Sequence, residues 1–348
     1  MLSFALRAAL LGVVLEPVGT LTSLLRPVGV SDLIRKCGRG VRDWHPVRVT
    51  SHPGPFHGLL AYPVTPLAAD GAPDLRALAD LVAGALDAGA DAVTVLASSG
   101  AGTSFDRSER DLVVRAAVAA AASAPVHVAV SAPTTRDVVR FGRDAVDAGA
   151  AGLLIAPFAY GPLVDDEVEA HVRALCDATA APVCFYNKPL QTGYDLTPEF
   201  FARLVRETTV HAVKDPATLP ARPRGRAAAL RAALASSDVT ASVGLSMDVA
   251  LLDDAEAADA WHTGLAALAP VEYVAVRRDR VDGTEHAVEA RRWLLAVATA
   301  LTAMRPLGGL HALAELLGTP AGAPRGPALA ATRAQVDVLR DLVAQRPT

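Results

Sequence analysis

The chain has 348 residues, a formal net charge of −4 and a hydrophobic fraction of 51%, which suits one large α/β domain with appendages. It carries no basic stripe and no arginine cluster interleaved with aromatic residues, so no nucleic-acid partner is expected. Its three cysteines, Cys37, Cys176 and Cys184, have no CxxC spacing, which indicates a cytoplasmic protein with neither a disulfide framework nor a metal site.

Residues 1–55 are predicted to form an N-terminal extension that ends in a linker. Residues 1–15 are apolar, and their only charge, Arg7, lies inside the run. A run this short does not span a bilayer comfortably, and a secretory signal would place its basic residue before the apolar core. We therefore expect no signal peptide and no membrane partner. The prolines and histidines of residues 42–55 are typical of a linker.

From Phe56 to about Pro270, short apolar runs alternate with alanine-rich amphipathic stretches. The runs predict eight strands, at residues 58–62, 92–96, 126–130, 152–156, 183–186, 210–214, 239–243 and 259–262. Helices are predicted between them, at residues 75–88, 107–122, 136–148, 165–178, 198–205 and 226–234, with a short one after Met247. Strands spaced roughly thirty residues apart, each followed by a helix, indicate a (β/α)8 TIM barrel over residues 56–270. A doubly wound sheet is the alternative.

Residues 271–348 predict helices only, at 285–304, 307–317 and 328–344. These would form a C-terminal helical appendage on the barrel. No GxGxxG follows the first predicted strand, and no GxxxxGK[ST] occurs in the chain. The sequence therefore gives no support for a dinucleotide site or a P-loop.

Lys214 is the most informative candidate for chemistry. It is one of only three lysines, although Lys and Arg together number 33, and it ends the apolar run that begins at Val210. Burial disfavours an ammonium ion and frees the amine to act as a nucleophile. We predict a Schiff-base lysine, with a solvated strand-end charge as the alternative.

The other predicted strand ends supply partners for this amine, because the carboxyl ends of barrel strands share one face. Tyr186 would shuttle protons, and Ser98 and Ser99, with the backbone amides before Gly100, would hold a carboxylate. No metal or cofactor is needed, since the protonated imine itself is the electron sink. Lys188 is interpreted as a loop charge, although it is the only rival amine near the predicted face.

From about His57 to the C-terminal helices, the sequence resembles the dihydrodipicolinate synthase and N-acetylneuraminate lyase family of pyruvate-dependent aldolases. The segments that carry the resemblance follow the predicted strands in order: Tyr62-Pro63-Val64-Thr65-Pro66, Ser98-Ser99-Gly100, Ala156-Pro157-Phe158, Tyr186-Asn187-Lys188-Pro189 with Thr192-Gly193, Val213-Lys214-Asp215, and Gly244 after strand 7. Each segment alone is weak evidence for the family, but all of them together in this order are specific to it.

The resemblance implies a (β/α)8 barrel, assembled as a homotetramer or homodimer, that forms an imine with pyruvate or a related 2-keto acid. It gives Lys214 the Schiff-base position, Tyr186 the proton-relay position, and Ser98 and Ser99 the positions of two hydroxyl residues that contact the carboxylate and relay protons. Further substrate-binding positions fall on Thr65, Gly100, Gln191 and Gly244, of which Thr65 and Gly244 would line the floor of the pocket.

Three departures from the family pattern concern the second substrate. Ala101 replaces a glutamate, Ala159 replaces a tyrosine, and Gln191 stands where the lysine-pathway enzymes carry an arginine. A glutamine cannot offer the charged, bidentate fork that an arginine presents to a carboxylate. The sequence therefore predicts an aldolase or lyase that joins a 2-keto acid and an aldehyde outside lysine biosynthesis. Two alternatives stay open: a dehydratase of deoxy-keto sugar acids, and an inactive paralogue that binds a 2-keto acid or serves in assembly.

Overall fold

The computed structural model describes residues 54–219, 225–254, 257–278 and 284–347. Almost all of the predicted N-terminal extension lies outside these residues. Eight parallel strands close into a barrel in chain order. They are β1 Gly58–Ala61, β2 Ala92–Val95, β3 Val126–Ala129, β4 Gly152–Ile155, β5 Val183–Tyr186, β6 Val210–Pro216, β7 Ser242–Ser246 and β8 Ala260–Thr263. The predicted (β/α)8 barrel is confirmed, and the doubly wound sheet is wrong.

Helices follow the strands and continue beyond the barrel. Those around the barrel are α1 Leu75–Ala88, α2 Arg107–Ala120, α3 Thr135–Asp147, α4 Asp165–Ala178, α5 Pro189–Thr192, α6 Pro198–Glu207, α7 Arg226–Ser236, α8 Asp248–Asp254, α9 Leu265–Leu268 and α10 Pro270–Arg278. The C-terminal helices are α11 Glu285–Thr302, α12 Pro306–Leu316 and α13 Arg333–Val343. None of the helices in the described ranges is both long and apolar enough to cross a membrane.

The predicted bounds of strand β7 are wrong by three residues, and this matters for the site. The run of β-branched residues around Val239 predicted a strand over 239–243, but β7 spans Ser242–Ser246. Val239 instead closes the end of α7, because its N–H donates to the carbonyl oxygen of Leu234 and Asp238 takes the left-handed conformation. The carboxyl end of β7 therefore lies at Ser246.

The barrel has an inner and an outer apolar layer. Alternate strand residues point inward, where small side chains such as Ala92, Ala129 and Ala212 pack with Leu60 and Leu154. The outward-facing residues pack against the surrounding helices in a larger cluster. This filled interior is usual for an eight-stranded barrel, and it leaves the carboxyl ends of the strands as the place for a cavity.

Two arginines tie the loop after β2 to its surroundings. Buried Arg110, on α2, donates to the carbonyl oxygens of Gly102 and Ala129 at 2.5 Å each. Arg325, from the C-terminal segment, donates to the carbonyl oxygen of Ser104 in this loop at 3.0 Å and to the Glu109 carboxylate, which also closes the capping box of α2. The C-terminal segment is thus joined to the loop that carries the two candidate serines. The division between barrel and appendage at residue 270 stays a prediction, since α10 packs against both α1 and α11.

Candidate active site

Lys214 lies in β6, next to Tyr186 of β5 and Gly244 of β7 in the ladder. It is buried, with 6% of its surface exposed. Its Nζ lies 3.7 Å from the centroid of the Tyr62 ring and 4.2 Å from that of Tyr186. Burial, with a smaller contribution from the charge of Lys188, lowers the pKa of the amine from 10.5 to about 7. Much of this lysine is therefore in the nucleophilic form at neutral pH.

Tyr186 is the last residue of β5, and its ring faces the Lys214 amine. Burial raises the pKa of its hydroxyl to about 12, and a hydrogen bond with Ser98 acts in the opposite direction. The phenol is therefore protonated at neutral pH and can donate a proton to a group bound at Lys214. This position agrees with the predicted shuttle, and the role itself stays a prediction.

Ser98 and Ser99 follow β2 in a tight turn, and both border the cavity above Lys214. The Ser99 hydroxyl donates to the carbonyl oxygen of Tyr62 at 2.9 Å. Thr65, which does not border the cavity, supports the turn: its hydroxyl donates to the carbonyl oxygen of Gly100 at 2.8 Å. Within the described structure, the backbone N–H groups of Ser98 and Ser99 have no acceptor. Such a turn can hold a carboxylate through its amides.

Gly244 lies in the middle of β7, although the sequence placed it after the strand. A Cβ atom at this position would lie 2.1 Å from Nε2 of His262 and 3.0 Å from the carbonyl oxygen of Val213. The glycine therefore makes room for a buried histidine next to Lys214. Gly244, Thr65 and Gly100 all lie behind the cavity wall, so their contact with a substrate stays a prediction.

Lys188, interpreted from the sequence as a loop charge, reaches the cavity. It follows β5, its side chain is half-buried, and its Nζ donates to Oγ of Ser98 at 2.7 Å. The same Nζ lies 5.7 Å from the centroid of the Tyr186 ring. The sequence placed both residues after predicted strands, but it gave no indication that these two side chains would contact each other.

A cavity of about 730 Å³ opens at the carboxyl ends of the strands. Its walls come from strand ends and from the C-terminal helical region: Tyr62, Ser98, Ser99, Tyr186, Lys188, Gln191, Lys214, Ser246, Met247, Asp248, His262, Gly264, Arg305, Pro306, Leu307, Gly308, Leu310, Pro327, Ala328 and Leu329. Five of the eight predicted site residues are brought together here. The volume exceeds what pyruvate alone would fill and is within the usual range for ligand pockets.

Asp248 is a cavity residue that the sequence analysis missed. It begins α8, and its carboxylate accepts hydrogen bonds from the hydroxyls of Tyr273, at 2.7 Å, and Thr263. Burial raises its pKa, and these hydrogen bonds counteract the rise. Because the predicted strand ended at Val243, Asp248 was not recognised as a residue of the strand end. Correct placement of β7 at Ser246 would have indicated it.

Tyr62 and His262 were also missed as a pair. The Tyr62 hydroxyl and Nδ1 of His262 share a hydrogen bond of 2.6 Å inside the barrel. Burial lowers the pKa of His262 well below its ordinary value, so the imidazole is neutral. The position of Tyr62 just after β1 was the available signal, whereas nothing in the spacing of the histidines pointed to His262.

The fold and the cavity define a class: a (β/α)8 barrel with a ligand-sized cavity at the carboxyl ends of its strands. Comparison with known proteins narrows this class. The model of the dihydrodipicolinate synthetase family matches residues 55–346. The chain belongs to that family, as the resemblance in its sequence implied.

Individual relatives agree with this assignment. A 4-hydroxy-tetrahydrodipicolinate synthase from Acidothermus cellulolyticus is 30% identical over 301 residues, which cover 83% of this chain and 92% of the relative. The structure of a putative dihydrodipicolinate synthetase from Pseudomonas aeruginosa is similar with a TM-score of 0.74 and 29% identity, over 83% of this chain and 99% of that one. A dihydrodipicolinate synthase from Agrobacterium tumefaciens gives a TM-score of 0.76 and 28% identity, over 84% and 98% of the two chains.

Proposed function

We propose that this chain is a Schiff-base-forming lyase or aldolase that acts on pyruvate or a related 2-keto acid. The observation that carries the proposal is the buried Lys214 amine, whose pKa of about 7 makes it nucleophilic at neutral pH. Tyr186 beside it and the two-serine turn above it support the same chemistry. Membership of the dihydrodipicolinate synthetase family is consistent with this reaction.

Imine formation begins when the free amine of Lys214 attacks the ketone carbon of the acid and gives a neutral carbinolamine. The Tyr186 hydroxyl then donates its proton to the carbinolamine hydroxyl, which leaves as water. The products are a protonated imine on Lys214 and a phenolate at Tyr186, so charge and atoms balance. The keto acid's carboxylate would be held by the backbone N–H groups of Ser98 and Ser99.

The second half-reaction makes or breaks a carbon–carbon bond. In the synthetic direction, the Tyr186 phenolate removes a proton from the carbon next to the imine, which gives a neutral enamine and restores the phenol. The enamine carbon attacks the aldehyde carbon of the second substrate, and the Tyr186 hydroxyl protonates the resulting alkoxide. Water then hydrolyses the protonated imine, which releases the product and the free amine of Lys214 and returns a proton to the Tyr186 phenolate. The cleavage direction runs through the same steps in reverse.

The uncharged Gln191 borders the cavity at the position where the lysine-pathway enzymes carry an arginine, and this disfavours the anionic aldehyde of lysine biosynthesis as the second substrate. Arg305 also borders the cavity, and its guanidinium donates to the carbonyl oxygen of Ala330. A dehydratase of deoxy-keto sugar acids would use the same imine. Product analysis with a panel of aldehydes and sugar acids distinguishes the two reactions. Homotetramer or homodimer assembly, cytoplasmic location and the lack of a cofactor stay predictions.

The test is borohydride trapping. The protein is incubated with pyruvate, reduced, digested and analysed by mass spectrometry, and we expect a reduced pyruvyl adduct on the peptide that contains Lys214. The Lys214→Ala variant should give none. A wild-type chain that forms no adduct with pyruvate or other 2-keto acids would overturn the proposal and favour the inactive, ligand-binding paralogue.

A further inference from the structure

Lys188 is a second amine in the same cavity, and the reaction described above does not use it. Its Nζ donates to Ser98 Oγ at 2.7 Å and lies 5.7 Å from the centroid of the Tyr186 ring. It also borders a neighbouring cavity of about 290 Å³, which Ser98 lines as well. Lys188 thus lies at the shared wall of two cavities, in contact with a candidate catalytic hydroxyl.

The chemistry of the two groups fixes the direction of their hydrogen bond. An ammonium group can only donate, so the Ser98 oxygen must be the acceptor. The single Ser98 proton is then free for another acceptor, and Tyr186, which borders the same cavity, is the neighbouring hydroxyl: its interaction with Ser98 lowers the pKa of Tyr186. Lys188 thus donates to the Ser98 oxygen and leaves the Ser98 proton able to turn toward the Tyr186 oxygen.

We propose that Lys188 is a positioning residue of the Schiff-base reaction: it orients the Ser98 hydroxyl so that the Ser98 proton stabilises the Tyr186 phenolate formed when water leaves. The inference rests on the proposed function. The phenolate is present only after Tyr186 has given up its proton, so the arrangement acts on the transition state rather than on substrate binding.

The charge of Lys188 has a second consequence, which can be measured without any substrate. Next to another cation, an amine loses its proton more readily. The charge of Lys188 lowers the pKa of Lys214, in the same direction as burial. Removal of this charge should therefore move the titration of Lys214 toward that of an ordinary lysine.

The experiment compares Lys188→Met with Lys188→Arg, which keeps the charge and the ability to donate. Arg136→Met, which removes an exposed charge on α3, is the surface control. Competitive acetylation of the Lys214 peptide across a pH range gives the amine pKa in the free protein. We expect Lys188→Met to raise that pKa by about one unit and to slow pyruvate trapping about tenfold at pH 7. In Lys188→Arg, the Lys214 pKa and the trapping rate should both stay close to those of the wild type. Arg136→Met should change neither the pKa nor the rate.

The outcomes separate the two proposals. If Lys188→Met titrates and traps pyruvate as the wild type does, the role of Lys188 is overturned while the Schiff-base function stands. If the wild type traps no keto acid, the proposed function itself fails. Thermal unfolding of each variant shows whether the fold is intact, and rescue by arginine excludes a purely steric effect of the methionine.

Discussion

The Lys214 amine lies 3.7 Å from the centroid of the Tyr62 ring, a distance at which a cation–π interaction favours the ammonium form. Such an interaction contributes about 2 kcal/mol when it is shielded from water. The fall in the pKa of Lys214 from 10.5 to about 7 corresponds to about 5 kcal/mol against the ammonium. The cost of burial therefore exceeds the attraction of the ring, and the pKa of Lys214 stays below that of an ordinary lysine.

Imine formation should depend on pH through this one amine. Below pH 7 Lys214 is increasingly protonated and cannot attack, so the second-order rate of pyruvate trapping should rise with pH and level off above an apparent pKa of about 7. Initial trapping rates at low pyruvate concentration, measured from about pH 5.5 to pH 9.5, test this. A rate that keeps rising to the upper limit would mean that Lys214 behaves as an ordinary lysine.

Tyr186→Phe should slow trapping by roughly 10²–10⁴-fold, the usual contribution of general acid catalysis. The variant keeps the ring that faces Lys214 at 4.2 Å and removes only the hydroxyl. Tyr62→Phe is the matched comparison, because it also keeps its ring, and its hydroxyl is engaged with His262. The Tyr62 variant should lose far less activity. Equal losses in the two variants would argue against a proton shuttle at Tyr186.

The sequence predicted the fold well because a (β/α)8 barrel repeats one strand and one helix, and this repeat is visible in the alternation of apolar runs and amphipathic stretches. It also placed Lys214 and Tyr186 on neighbouring strands, and the structure pairs them in the ladder. It failed at β7, whose residues Ser242–Ser246 include a glycine and two serines with little intrinsic strand preference. Tertiary packing, not propensity, fixes that strand. The error hid Asp248, and no local pattern could have brought Lys188 to Ser98.

Lys214→Met should make the protein more stable at neutral pH. The unfolded chain keeps the ordinary lysine pKa of 10.5, whereas the folded pKa is about 7, so the unfolded state binds more protons between these values. The resulting destabilisation is fully present below pH 7 and disappears as pH rises through 10.5. Urea unfolding should give the variant an advantage of about 1–4 kcal/mol at pH 7 and a smaller one near pH 10. An advantage that does not change with pH would have another cause.

Gly244→Ala should destabilise the barrel by about 1–3 kcal/mol, as overpacking in a rigid core usually does. The new methyl group would meet Nε2 of His262 at 2.1 Å, and neither the buried ring nor the carbonyl oxygen of Val213 can easily move away. Gly84→Ala is the control, because nothing lies within 4 Å of that position on α1. It should be neutral or slightly stabilising, since alanine favours a helix. Thermal unfolding of the two variants should thus shift in opposite directions.

Gln191→Arg should change which aldehyde the enzyme prefers. Gln191 is exposed at the cavity, so a longer guanidinium group can be accommodated there and can bind a carboxylate in a bidentate manner. A charged hydrogen bond of this kind is worth about 1.5–3 kcal/mol, or roughly tenfold to a hundredfold in affinity. Succinic semialdehyde and butanal, which differ chiefly in a carboxylate, form a suitable pair of second substrates. The ratio of their kcat/KM values should move toward the acid in the arginine variant and stay unchanged in Gln191→Met. An unchanged ratio in the arginine variant would show that the second substrate does not reach Gln191.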